Sequence, residues 1–134
     1  MERAYKFRMY PNKTQQQLLA KTFGCVRFVY NHYLAKRIEL YKTEKQTLAF
    51  GACSADLTNL KKEIVWLKEV DKFALQNSLK DLDSAYKKFF KEHSGFPKFK
   101  SKKIHDYSYR TSFTNNNIQY CGKHIKLPKL GLVK

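Results

Sequence analysis

A chain of 134 residues with 27 Lys and Arg against 11 Asp and Glu, a formal charge of +16, has room for one modest core and a surface far more cationic than solubility requires. That balance points to a polyanionic partner, nucleic acid first. It has neither a long apolar run nor a signal-peptide start, so a membrane partner and secretion are unsupported and a cytoplasmic location is expected.

Residues 2 to 10 alternate, with Tyr5, Phe7 and Met9 on one side and Lys6, Arg8 and Tyr10 on the other, which predicts a half-buried strand ended by Pro11. Asn12, with Gln15 three residues on, reads as a capping box that opens a proline-free helix from Lys13 to about Lys42. Leu18, Leu19, Phe23, Val26, Val29, Tyr30, Tyr33, Leu34, Arg37, Ile38, Leu40 and Tyr41 spread a broad buried face along it, so this helix packs on two sides. Gly24 in its interior predicts either a bend of the helix or close approach of another backbone, a packing role rather than a catalytic one.

Thr43 to Cys53 reads as a connector, after which Ser54 caps a second helix carrying Leu57, Leu60 and Ile64, with Asp56 near its positive end. Trp66, Leu67 and Val70 form a short apolar patch. Asp71 caps a third helix in which Ala74, Leu75, Leu79, Leu82, Ala85, Tyr86 and Phe89 recur every three or four residues, ending near Gly95. Gly95 and Pro97 then force a loop in which lysines alternate with Phe96 and Phe99.

Tyr107 to Thr114 and Asn117 to Cys121 read as strands joined by a turn at Asn115-Asn116, and a turn from Cys121 to His124 leads to a third, Ile125 to Leu127. Pro128 to Lys134 looks like the start of another strand. The order is strand, helical insertion, strands, an α+β arrangement whose sheet is incomplete. Its unpaired edge predicts dimerisation or poor solubility of that part.

Cys25, Cys53 and Cys121 make no C-x-x-C pair, and His32, His93, His105 and His124 are scattered, so no disulfide framework, metal site or cofactor is signalled. Two-metal hydrolysis needs carboxylates converging from rigid elements. The acids here lie on or beside lysine-rich helices, where solvated pairing explains them, and no catalytic residue is predicted. Lys87, Lys88, Lys91, Lys98, Lys100, Lys102 and Lys103, interleaved with Phe89, Phe90, Phe96 and Phe99, have the mix expected where phosphates are neutralised beside stacking surfaces. Lys6, Arg8, Lys98 and Lys100 flank aromatics on a strand or loop and are the candidates for RNA or heteroduplex backbone contacts. Lys72, Gln76, Asn77 and Lys80 either present base-reading groups from the third helix or form its exposed polar face; residue types alone leave both open.

Several ordered stretches carry a resemblance. Ala4 to Pro11, Gly24 to Asn31, Trp66 to Val70, Asp71 to Leu79, Gly95 to Lys100, Ser108 to Thr111, Phe113 to Ile118 and Leu127 to Gly131 together resemble the opening part of TnpB, the insertion-sequence OrfB family of RNA-guided nucleases. The resemblance covers this chain but only the opening of a typical member, whose RuvC-like nuclease domain and zinc ribbon would follow. It implies a wedge domain, a small β-barrel split between residues 1–12 and 104–134, with a helical, helix-turn-helix-like recognition lobe inserted at 13–103.

In such proteins these lobes grip a guide RNA and its heteroduplex and read a short transposon-adjacent motif on double-stranded DNA. By similarity, the motif-contacting positions are Phe50, Ser54, Lys72, Phe73, Gln76, Thr114 and Asn115. Phe50 stands where tyrosine is common, so a hydroxyl contact is missing there. The resemblance implies a recognition fragment that does not cut DNA. The competing expectation is an autonomous helix-turn-helix-type DNA-binding regulator or accessory protein of a transposon.

Overall fold

The computed structural model describes residues 5–46, 48–93, 95–100, 110–112 and 117–134. The longest element, α1 (Lys13–Glu44), starts where the capping box predicts. The Asn12 side chain accepts from the Gln15 N–H at 2.9 Å, and the Gln15 side chain accepts from the Asn12 N–H at 3.0 Å, so two N–H groups with no helical partner are satisfied together. Thr22, Cys25, Val29 and Tyr33, with Tyr30, Leu34 and Arg37 beside them, form its buried face. It ends at Lys45, in the left-handed region at φ 55, whose N–H reaches the Tyr41 carbonyl.

Gly24 does not have the role its position suggested. Among the described residues a Cβ built there meets nothing nearer than Arg27 Nη2 at 3.8 Å, an ordinary contact, and no second backbone within 4 Å. Helix α1 continues through it unbroken. Gly24→Ala is therefore expected to stabilise the fold by about 0.5–1 kcal/mol, read as a raised urea midpoint with unchanged slope.

The second helix, α2 (Phe50–Glu63), begins four residues before the expected cap. Its N-cap is Ala49, which offers no side-chain bond, and the Cys53 N–H reaches the Ala49 carbonyl instead. Burial of Cys53 and packing of Leu48 and Phe50 on the core outweigh the weaker capping preference of Ser54. Asp56 is also displaced from its expected role at the helix start: its carboxylate accepts from the Tyr33 hydroxyl at 2.8 Å and from Lys36 Nζ at 3.1 Å.

A short 3-10 helix (Val65–Glu69) follows, burying Leu67, and Val70 is buried just beyond it. Asp71 caps α3 (Lys72–Glu92) as expected, accepting from the Phe73 N–H at 3.0 Å. This helix stops at His93, in the left-handed region at φ 54, rather than at Gly95. Ala74, Leu75, Ser78, Leu79 and Leu82 form its buried face, and the Ser78 hydroxyl donates to the Val26 carbonyl across to α1 at 3.0 Å. Val29, Tyr33 and Leu34 of α1, Cys53, Leu57 and Leu60 of α2, Leu67 and Val70, and Leu75, Leu79 and Leu82 of α3 make one continuous core.

Among the described residues the sheet has three antiparallel strands in sequence order: β1 (Gln119–Cys121), β2 (His124–Leu127) and β3 (Gly131–Val133). The register opposes Tyr120 to Ile125 and Lys126 to Leu132. Gly122 takes φ 61 as the first residue of the two-residue β1–β2 loop, the sign short hairpins need there. One face of the sheet docks on the start of α1, where Leu127, Leu130 and Val133 enclose Leu19, with Met9, Leu18, Phe23, Ile118 and Ile125 around them. The Gln15 amide, already part of the cap, also donates to the Leu132 carbonyl.

The amino-terminal strand is not realised among the described residues; residues 2–4 of it lie outside them. Residues 5–10 have no regular secondary structure, Tyr5 and Phe7 are exposed, and only Met9 of these six is partly buried. Among the described residues one backbone bond, Tyr10 N–H to the Lys134 carbonyl at 2.7 Å, ties the segment to the end of the sheet. Alternation sets which side chains can face a core, but a ladder also needs a neighbouring strand long enough to receive it, and β3 has three residues. Arg110–Ser112 are not strand; the rest of the Tyr107 to Thr114 strand and the Asn115-Asn116 turn lie outside the described residues. The fold is α+β, a helical region with a small antiparallel sheet.

Candidate nucleic-acid interface

Helices α2 and α3 pack so that the first half of one lies against the first half of the other. Phe50 and Ser54 are one turn apart on α2, as are Phe73 and Gln76 on α3, and the Ser54 hydroxyl donates to Gln76 Oε1 at 2.9 Å. That bond orients the Gln76 amide and turns its NH2 end away from Ser54. Lys72 Nζ lies 5.1 Å from the centre of the Phe73 ring, and Lys80 Nζ 6.0 Å from that of Phe50. Five of the seven motif-contact candidates thus meet along one edge.

Lys61, at the end of α2, joins this edge and was not singled out from sequence. Burial pushes its pKa down first, and the charges of Lys72 and Lys68 push it further, while Asp71 pulls the other way. Lysines held close enough to disfavour each other's charge create a positive potential that a phosphate would relieve. Its only sequence signal was a basic residue in the last turn of a helix, which ordinarily complements the dipole.

Thr114 and Asn115 lie outside the described residues. The segment leading to them is anchored to α3: the Asn77 side chain donates to the Arg110 carbonyl at 3.1 Å, and the Arg110 guanidinium pairs with Asp81. Asn77, a potential base reader by residue type, therefore spends its amide on this tether.

The four backbone-contact candidates do not form one group. Lys6 and Arg8 are exposed on the leader before α1. Lys98 and Lys100 are exposed on the loop after α3, and Lys100 is held at mid-α1, its N–H donating to Asn31 Oδ1 at 2.7 Å and its carbonyl accepting from Asn31 Nδ2 at 2.9 Å. Its ammonium lies 4.7 Å from the centre of the Tyr30 ring. From the start of α1 to Asn31 is about 27 Å along the helix axis, at 1.5 Å per residue.

Beside Asn31 runs a groove of about 770 Å³ lined by Lys21, Arg27, Phe28, His32, Trp66 and Glu69, among others. Trp66 meets Phe28 edge-on at 5.1 Å and Phe28 stacks on His32 at 5.7 Å. Burial, then the nearby Lys36 charge, lowers the His32 pKa, while Asp56 pulls the other way. Sequence spacing gave no signal for this grouping, because Trp66 reaches α1 only through tertiary packing.

Among the described residues four acids, Asp56, Glu69, Asp81 and Asp83, are engaged in ion pairs. Asp83 pairs with Arg37 at 3.0 Å and Lys87 at 3.3 Å, Glu69 with Lys21 at 3.3 Å, and Asp56 with Lys36 at 3.1 Å. Among the described residues no three His, Cys, Asp or Glu side chains come together in a way that holds a metal ion. Nor is any described helix long and apolar enough to cross a membrane.

A helix-turn-helix domain family of OrfB proteins of the IS605 type matches residues 1–46. A protein of Streptomyces pristinaespiralis named as a candidate RNA-guided DNA endonuclease is 40% identical over 105 residues, 77% of this chain and 26% of the relative. InsQ of Escherichia coli K12, with the same kind of name, is 33% identical over 136 residues, 98% of this chain and 33% of the relative. The chain belongs to the OrfB/TnpB family. It spans about a quarter to a third of the length of these two relatives. Virulence protein VsdF of Salmonella dublin is 35% identical over 113 residues, 76% of this chain and 95% of that relative. Within the span of the OrfB domain match, the described residues form the leader and the single helix α1; α2 and α3 lie beyond it.

Proposed function

We propose that this chain is the nucleic-acid-recognition portion of a TnpB-like RNA-guided DNA endonuclease, binding guide RNA and a transposon-adjacent motif on double-stranded DNA without cutting it. The observation that carries the reading is the α2–α3 edge, where a hydrogen-bonded Ser54–Gln76 pair sits between Phe50, Phe73, Lys72 and Lys80. An amide fixed in orientation suits a base edge, and flanking ammonium groups suit phosphates. In this reading Phe50, Ser54, Lys72, Phe73, Gln76, Thr114 and Asn115 contact the motif, and Lys6, Arg8, Lys98 and Lys100 contact RNA or heteroduplex backbone. Residues 13–103 act as the recognition lobe; 1–12 and 104–134 contribute to a wedge barrel that further strands would close, and the open β1 edge is where copies would pair. The work is done in the cytoplasm, on nucleoid DNA.

A second reading is an autonomous DNA-binding accessory protein that needs no guide. The match over 95% of VsdF favours it, since that relative is covered nearly whole by the same region.

Selection of duplexes from a randomised library, with and without ribonuclease, separates the two. Guide-dependent recognition predicts RNA bound to the purified chain and a selected motif adjoining a guide-matched sequence; motif binding that survives ribonuclease supports the accessory protein. Gln76→Ala is expected to relax preference at one base pair, losing about 1–3 kcal/mol of discrimination, while Lys72→Ala weakens all sequences about equally. Selection of no motif at all, with no bound RNA, contradicts both readings.

A further inference from the structure

The second half of α3 faces the second half of α1 across a pocket of about 640 Å³ that the motif edge does not use. Its walls are aromatic: Tyr41 from α1, Tyr86, Phe89 and Phe90 from α3, and Phe96 from the following loop. Phe96 meets Tyr86 edge-on at 5.5 Å and Phe89 at 5.2 Å, and Phe89 meets Phe90 edge-on at 5.1 Å, so the rings brace one another. Three of them are exposed, Phe90 at 62%, Tyr41 at 54%, although its spacing placed it on the buried face of α1, and Phe96 at 44%.

The rim is cationic. Lys42, Lys87 and Lys91 surround the opening, and Asp83, the one acid lining it among the described residues, is already paired with Arg37 and Lys87. Exposed rings with an unbalanced ammonium rim match a ligand that has a flat π-face and an attached anion. An apolar helix would satisfy the rings and leave Lys42 and Lys91 unanswered; a nucleotide in a single strand satisfies both. Duplex bases are stacked and paired and cannot enter. Phe90 lies 14 residues beyond Gln76 on the same helix, about 20 Å along its axis at 1.5 Å per residue, so the two sites can act together on different parts of one complex.

We infer that this pocket holds an unpaired base of single-stranded RNA, stacked against Phe90 and Tyr41, with Lys42 and Lys91 on the flanking phosphates. The inference rests on the nucleic-acid reading above and adds a second, single-strand-specific site to it.

The test uses the full chain with a 20-nucleotide single-stranded RNA, the same sequence as single-stranded DNA, and a 20-base-pair DNA duplex, each followed by fluorescence anisotropy. Phe90→Ala and Tyr41→Ala, both at exposed positions and checked for unchanged helix content by circular dichroism, are each expected to weaken single-stranded RNA binding by about 10-fold and leave the duplex unchanged. Phe90→Trp is expected to restore RNA binding. Unchanged RNA affinity in both alanine variants, with a wild type that binds RNA, overturns the pocket and leaves the parent reading standing. Equal loss on the duplex, loss on single-stranded DNA alone, or loss only of self-association overturns it as well. A wild type that ignores every probe at low salt overturns both the pocket and the reading it rests on.

Discussion

Raising the salt from 50 to 200 mM is expected to cut the affinity of this chain for duplex DNA by about 10³ to 10⁵, the loss that accompanies six to ten phosphate contacts. The expectation follows from how the cations are distributed. Lys21, Lys36, Arg37, Lys87 and Arg110 each have a carboxylate partner, so much of their charge is answered within the molecule. Lys61, Lys68, Lys72 and Lys80 fall on or beside one edge, and two of them press on the charge of Lys61. Each lysine that reaches a phosphate releases a counterion, and the logarithm of affinity falls by about 0.9 per contact for each tenfold rise in salt. Lys72→Ala should reduce that slope by about one unit, whereas Lys36→Ala, opposite Asp56 on another face, should leave it alone. Anisotropy titrations at four salt concentrations read both slopes. A flat profile for the unmodified chain would remove the electrostatic basis of the proposed function.

How much of this was legible in advance depended on whether a residue's partner was local. Asn12 with Gln15, and Asp71 with the Phe73 N–H, act within one turn of chain, and both caps were readable from spacing. Ser54 had the same local signature and does something else, because its hydroxyl is committed to Gln76, 22 residues away, and burial of Cys53 extends the helix past it. Gly24 looked like a packing glycine, yet the space beside it is a groove rather than a backbone. The leader alternated like a strand and has, among the described residues, one backbone bond to the sheet. For the candidate site, the family resemblance supplied Phe50, Ser54, Lys72, Phe73 and Gln76, and pattern alone left α3 undecided between base reader and solvated face. The meeting of Lys61 with Lys72 depends on how two helices cross, which no spacing rule encodes.

The largest stability effect is expected at Asp83, whose partner Arg37 was read from sequence as part of an apolar stripe. Arg37 is buried, with 8% side-chain exposure; it donates to Asp83 at 3.0 Å, and its guanidinium lies 4.7 Å from the centre of the Tyr86 ring. Its position in the stripe was correct, and what permits a charge there is a carboxylate 46 residues away at 21% exposure. Asp83→Ala leaves the guanidinium buried without its counter-charge, and Lys87, itself a cation, cannot substitute. The expected cost is about 3–5 kcal/mol, a large part of a typical domain's 5–15 kcal/mol. Replacing both partners, Arg37→Met with Asp83→Leu, is expected to recover most of it, since neither charge is then desolvated.

Acid titration supplies an independent check on the same pair. Burial pushes the Asp83 carboxyl up, but the hydrogen bonds from Arg37 and Lys87 outweigh it, and its pKa rests below the usual carboxylate value. A carboxyl that binds its proton less readily when folded stabilises the fold above its unfolded pKa, near 4, and that contribution disappears as pH falls through the folded value. Urea unfolding of the wild type should therefore weaken from about pH 4 downward, and Asp83→Ala should show a shallower decline from a lower starting point. If the alanine variant unfolds within about 1 kcal/mol of wild type at pH 7, Arg37 is adequately solvated without Asp83, and the buried pair does not hold α1 to α3.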